Sequence, residues 1–206
     1  MSYRIYTSDA FIITAKQSRD ADLAVFAFTE QFGILHATAK SARHIKSKLR
    51  YSLQSMTFGS LSLVKGREIW RVTSAKKMIS LYDKRIPAEG RVLLARVLAH
   101  TERFCPREQP EPVIFDMLKA VSGFVFKDLS LPERLPQYAL NCERLEKVFL
   151  LRLMYELGYV DKNERLQIFI QEKIDSSFMN VLDLMTDDQE KAVSVAIDRA
   201  IVQSHL

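Results

Sequence analysis

One stretch of this chain carries most of the chemistry its sequence offers. Lys40-Ser41-Ala42-Arg43-His44-Ile45-Lys46-Ser47-Lys48-Leu49-Arg50 holds five cations and no carboxylate in eleven residues. Cations clustered this densely neutralise phosphates and release their condensed counterions, a sequence-independent grip on nucleic acid. Ser41 and Ser47 add hydrogen-bond donors for phosphate oxygens. Lys65, Arg67, Arg71, Lys76 and Lys77 follow and would continue the track across a neighbouring surface. The residues expected to hold phosphate are Lys40, Arg43, Lys46, Lys48, Arg50, Arg67 and Arg71. Tyr51, Phe58 and Trp70 lie among these cations, and unpaired bases stack on aromatic rings. Trp70, the only tryptophan, is expected in the core, where large aromatics are mostly buried. A solvated face, or a contact with anionic lipid or an acidic protein, is the competing account of the same charges.

Other chemistries find little support. Gly59 and Gly66 form neither the phosphate-cradling P-loop nor the dinucleotide pattern, which argues against ATP use. Asp20 with Asp22, Asp187 with Asp188, and Glu143 with Glu146 read as helix caps and solvated faces. No serine or cysteine sits in a recognisable nucleophile elbow. Cys105 and Cys142 stand far apart, and His36, His44, His100 and His205 lack the spacing that puts two ligands on one helix face. The expectation is a protein without catalysis, metal or other cofactor.

The elements that must position the basic stretch follow from charge and period. The chain has 206 residues, enough for one large domain or two small ones. Residues 1 to 82 carry 13 Lys and Arg against 5 Asp and Glu, and the remainder 17 against 20, so the basic excess belongs to the first part. Residues 8–16, 22–29, 34–39, 56–64 and 68–75 are short runs rich in Ile, Val, Phe and Thr, separated by turn signals, and read as five strands. Gln31-Phe32-Gly33 closes one turn and Lys65-Gly66-Arg67 a hairpin. The apolar parity changes from Met56 and Phe58 to Leu61 and Leu63, which predicts a bulge at Gly59. Five short strands suit a closed oligonucleotide-binding (OB) barrel better than a sandwich, which wants about seven.

From about residue 87 the period is helical. Leu94, Val97, Leu98, Thr101 and Phe104 form one stripe, ended by Pro106 and Pro110, and Ile114, Met117, Leu118, Val121 and Val125 form the next. A third helix begins after Pro136, buries Leu145, Val148, Phe149 and Leu157, and stops at Gly158. Asp161 to Lys173 has only a partial helical pattern. Thr186 and Gln189 form a capping box ahead of Val193, Ile197, Ala200 and Ile201. The expected fold is therefore α+β: a five-stranded OB-fold β-barrel over 1–82, then an all-α domain over 83–206. No apolar run is long enough to span a membrane, and the amino terminus lacks a secretory core. A cytoplasmic location is expected.

These residues together resemble the bacterial RecO family. The matching pieces are Arg19-Asp20-Ala21-Asp22, Phe28-Thr29-Glu30-Gln31-Phe32-Gly33, Ala39-Lys40-Ser41-Ala42-Arg43, Ser47-Lys48-Leu49-Arg50, and Leu53-Gln54 before Phe58. Farther on, Leu151 to Tyr159 is similar to the family's helix ending in Leu-Gly-Tyr, and Ser204-His205-Leu206 to its common carboxyl end. The resemblance implies an OB fold followed by helices, binding of single- and double-stranded DNA, annealing of complementary strands, and no active site. The partners it implies are RecR, the acidic tail of single-strand-binding protein, and, indirectly, RecA, which is loaded onto covered strands at the nucleoid. Two departures stand out. Many relatives carry two Cys-x-x-Cys pairs after Leu-Gly-Tyr, absent here, so no zinc is expected; and a frequent glycine of the basic loop is Ser41. Arg144, Lys147 and Arg152 are expected to be solvated or to flank the core. The acidic balance of the second part suggests protein contacts rather than DNA. The rival readings are an RNA-binding barrel module, a scaffold whose basic loop docks an acidic protein, and a hydrolase or nuclease built on a carboxylate cluster that only folding creates.

Overall fold

A computed structural model of the chain describes residues 4–67, 69–127, 135–161, 164–174 and 178–204. Glu68 of the fifth apolar run, residues 1–3, residues 162–163 of the partial helical segment, and His205 and Leu206 lie outside them. The chain divides into two compact units, Met1–Asp83 with Cys105–Phe115, and Lys84–Phe104 with Asp116–Leu206. The segment 105–115, expected with the helices, thus belongs with the strands.

Five strands form the first unit: β1 (Ile5–Gln17), β2 (Leu23–Thr29), β3 (Gly33–Ala39), β4 (Thr57–Lys65) and β5 (Trp70–Ser80). They close in the order β1-β2-β3-β5-β4, with β4 returning to β1. All pairs are antiparallel except β3 with β5, which run parallel through Ala37↔Trp70 and Thr38↔Arg71. Alternate residues point inward, and small ones dominate the narrow interior: Ala10, Ala27, Ala37 and Ala39 pack with Val25, Leu35, Leu61 and Leu63. Trp70 is 4% exposed, set edge-on to Tyr6 and tilted against Phe32, as its size predicts.

The predicted bulge takes a different form. The register does break at Gly59, but the unpaired residue, Met78, is on β5, and Gly59 stays in step with inward Thr57, Leu61 and Leu63. A Cβ on Gly59 would lie 2.3 Å from the Lys76 carbonyl oxygen, so the glycine permits a close strand approach. The parity change has another cause: Phe58 faces outward and joins Phe11, Phe28 and Phe115 in a second apolar cluster. Segment 105–115 closes over that outer face. Glu108 N–H donates to the Ile34 carbonyl at 2.8 Å, Arg107 bridges Ile34, and Gly33 at φ +66° lies against the Gln109 backbone.

Helices α2 (Ala88–Phe104), α3 (Pro112–Lys127), α4 (Leu135–Glu156), α5 (Gln167–Gln171), α6 (Phe178–Asp183) and α7 (Asp187–Ser204) follow the short α1 (Leu49–Ser52) of the first unit. The stripes read from sequence on α2 and α3 are the buried ones. On α4, Leu145, Val148 and Phe149 are fully buried, while Leu157 is only half-buried beyond the helix end. Gly158, at φ +82°, donates to the Tyr155 carbonyl and Tyr159 N–H reaches Met154, which gives the expected left-handed cap. The capping box forms in both directions, Gln189 N–H to Thr186 Oγ1 at 3.3 Å and Thr186 N–H to Gln189 Oε1 at 3.0 Å.

Helix α4 contacts α2, α5, α6 and α7; its cations tie down α5, α6 and α7, and its Glu146 pairs with Arg96 and His100 of α2. Arg144 is buried rather than solvated: Nη1 donates to the Leu182 carbonyl at 2.5 Å and Nε to Glu190 at 3.3 Å. Arg152 is likewise buried, with Nε on the Phe169 carbonyl and its guanidinium 4.8 Å from the Phe178 ring, and burial pushes its pKa down to about 10. Among the described residues no helix is long and apolar enough to cross a membrane.

Candidate nucleic-acid interface

Short-range contacts fold the basic loop against the β1–β2 turn. Asp22 and Ser41 meet through a hydrogen bond from Ser41 N–H to Asp22 Oδ1 at 2.7 Å. Arg43 donates from its backbone to the Ala21 carbonyl at 2.9 Å and from Nη1 to the Asp20 carbonyl at 2.6 Å. Ser41 sits at φ +53°, the left-handed region a glycine adopts without penalty. Two further turns, His44 N–H to Ser41 and Ser47 N–H to His44, carry the chain into α1, which lies against β5. Lys40, Arg43, Lys46, Lys48 and Arg50 are all exposed, with Ile45 at 84% and Tyr51 at 67% exposure beside them. Arg50 lies 5.9 Å from the Tyr51 ring.

The register decides which other cations join the loop. Strand β3 leaves the barrel at Ala39 and runs parallel to β5, so Arg71, paired with Thr38, lies near the loop's root. Lys16 and Arg19 arrive at this end from β1 and its turn, because Lys16 pairs with Ala24 and Ala24 with Thr38. Lys76 and Lys77 arrive on the far half of β5, Lys77 donating to Gln54 Oε1 at 2.8 Å. Arg67 does not join them. Its hairpin precedes Trp70 and therefore sits at the Gly33 end of β3, on the order of 15 Å from the loop at strand spacing. Lys65 at that end is paired with Glu108 at 2.8 Å, and this hydrogen bond holds the Glu108 carboxyl below its ordinary range.

Of the three aromatics singled out by sequence, only Tyr51 is free to stack; Trp70 and Phe58 are packed as described. Sequence reasoning missed a different pair. Phe26 on β2 and exposed His36 on β3 face outward and stack with centroids 4.3 Å apart and planes 11° from parallel. Outward parity was readable at each position, but their meeting depends on the Phe26↔His36 register.

Among the described residues, the Glu146 site of the second unit lacks the setting of acid–base catalysis. Burial would push the Glu146 carboxyl up, but hydrogen bonds with His100 and Arg96 outweigh it and hold the group below its ordinary range. A carboxylate kept ionised between two basic groups lacks the raised pKa of a general acid. Cys105 and Cys142 are buried thiols, and burial pushes Cys105 up to about 12. Among the described residues no three His, Cys, Asp or Glu side chains converge on a common point.

Comparison with known proteins adds an independent line. Residues 1–80 match the family described as recombination protein O N terminal. The chain is 27% identical over 113 residues to the DNA repair protein RecO of Dehalococcoides mccartyi, covering 55% of this chain and 45% of that protein. It is 28% identical over 160 residues to RecO of Clostridium novyi, with 75% and 57% covered. Against RecO of Thermodesulfovibrio yellowstonii the identity is 35% over 63 residues, 31% of this chain and 25% of that one. The chain spans about half the length of the first curated relatives it matches.

Proposed function

The chain belongs to the RecO family, and from that premise we propose that it is a non-catalytic DNA repair and recombination mediator whose first unit is an OB-fold DNA-binding domain. The observation that carries this reading is the gathering of Lys16, Arg19, Lys40, Arg43, Lys46, Lys48, Arg50 and Arg71 at one end of the barrel, where Asp20 and Asp22 are the neighbouring acids and Asp22 is already engaged. Phosphates brought there exchange their counterions for fixed cations, so two complementary strands approach with less mutual repulsion. Annealing follows from that neutralisation, without a reacting side chain. Arg67, at the other end, touches DNA only if a strand runs the length of the barrel.

The remaining parts of the reading come from the family: binding of single and double strands, work alongside RecR, engagement of the acidic tail of single-strand-binding protein, and loading of RecA. The second unit is the part assigned to protein contacts. Electrophoretic annealing of complementary oligonucleotides, with and without single-strand-binding protein, tests the proposal. Faster annealing in both settings is the expected result, and annealing at the spontaneous rate would contradict it. Competition between matched RNA and DNA strands separates this reading from an RNA-binding module, because only 2′-hydroxyl recognition distinguishes the polymers.

A further inference from the structure

The stacked rings of Phe26 and His36 have no part in phosphate neutralisation. We propose that the outer face of β2 and β3 is a base-stacking platform, on which an unpaired base lies against the His36 ring while Lys16 and Arg71 hold the phosphates on either side. The inference rests on the polyanion reading above and adds what that reading lacks, a physical basis for preferring single strands.

Three observations carry it. First, the pair is prearranged: the Phe26↔His36 register sets the rings side by side, half-buried Phe26 fixes the position, and exposed His36 presents the outer surface. Second, the adjoining outward row, about 7 Å along the strands, reads Lys16, Ala24, Thr38, Arg71 across β1, β2, β3 and β5, with a cation at each edge and no carboxylate. Third, the face is open on one side only. Toward Gly33, segment 105–115 closes over Ile34, and toward Ala39 the strip leads to the basic loop. Phosphate contacts alone cannot tell a single strand from a duplex by its bases, but paired bases are already stacked, and only an unpaired one gains by lying on a ring.

The test uses the full chain and fluorescence anisotropy with two probes, an oligothymidylate and an abasic strand of equal length and charge. The wild type is expected to bind oligothymidylate more tightly, and His36→Leu to cut the ratio of the two affinities about tenfold, within what base–aromatic stacking supplies. His36→Trp, at the same exposed position, is expected to restore or raise the ratio. A ratio that His36→Leu leaves within twofold, or a wild-type ratio of one, overturns the platform. Replacing Lys46, Lys48 and Arg50 by Ala separates the two readings: it weakens both probes together if the loop holds phosphate. Should it weaken neither while His36→Leu still collapses the ratio, the loop reading fails and the platform stands. A wild type that binds neither probe removes both.

Discussion

Asp22 accepts a hydrogen bond from the Ser41 backbone N–H at 2.7 Å, so a carboxylate is built into the root of the most basic loop of the chain. Coulomb's law by itself makes that acid a liability for binding a polyanion. Its geometry gives it the opposite value, because it fixes the first turn of the loop, where Ser41 holds a left-handed backbone that costs a non-glycine residue on the order of 1 kcal/mol.

Asp22→Ala therefore separates two signs. If Asp22 only repels phosphate, its removal tightens DNA binding. The structure predicts weaker binding, by about threefold, together with amide exchange at Ser41 faster by about tenfold, as expected when a charge-assisted hydrogen bond of roughly 1.5 kcal/mol is lost. Hydrogen exchange and anisotropy on the same variant check both. Ser41→Gly is expected to be at least as stable as the wild type.

Gly33→Ala tests the closure of segment 105–115 over the barrel. The new Cβ would lie 1.8 Å from the Gln109 carbonyl oxygen, and φ is +66°. Backbone cannot swing aside as a flexible side chain does. A loss of about 3 kcal/mol in denaturant unfolding is expected, from the left-handed cost and overpacking together. An unchanged midpoint would mean the segment does not pack there.

The second unit carries a pH signature at Glu190. Lys147 at 2.5 Å, then Arg144 at 3.3 Å, hold its carboxyl below the ordinary range. A carboxylate with a folded pKa below its unfolded value, about 4.3, adds stability that is complete above that value and is lost as pH falls through the folded one. Glu190→Gln should thus cost about 1 kcal/mol at pH 7, a figure kept low by solvent screening at a 23% exposed side chain. The gap between variant and wild type in thermal melts should close as pH drops below about 4. A gap independent of pH would assign the effect to packing.

How much of this was legible in the sequence depended on range. Strand runs, helix stripes, the Gly158 cap and the Thr186–Gln189 box are local, and local period and capping chemistry disclose them. The parallel β3–β5 pairing is not local. It alone puts Arg71 near the loop and Arg67 at the other end, so a list of cations in sequence order could not separate them. Phe58 misled for a related reason: its outward parity looked like a bulge because its true partners, Phe11 and Phe115, are distant in sequence. Pro106 and Pro110 read correctly as the end of a helix, but what the intervening segment covers, the Ile34 and Gly33 edge, exists only in the fold. Short α1 and α6 escaped because four and six residues are too few to show a period.

The salt dependence of oligonucleotide binding tests the central claim most directly. Each cation that neutralises a phosphate of a single strand adds about 0.7 to the slope of log affinity against log salt. Replacing Lys46, Lys48 and Arg50 together by Ala should flatten that slope by about 2 and weaken binding alike for every sequence, with the melting temperature unchanged. A slope equal to that of the wild type would show that this loop does not hold phosphate.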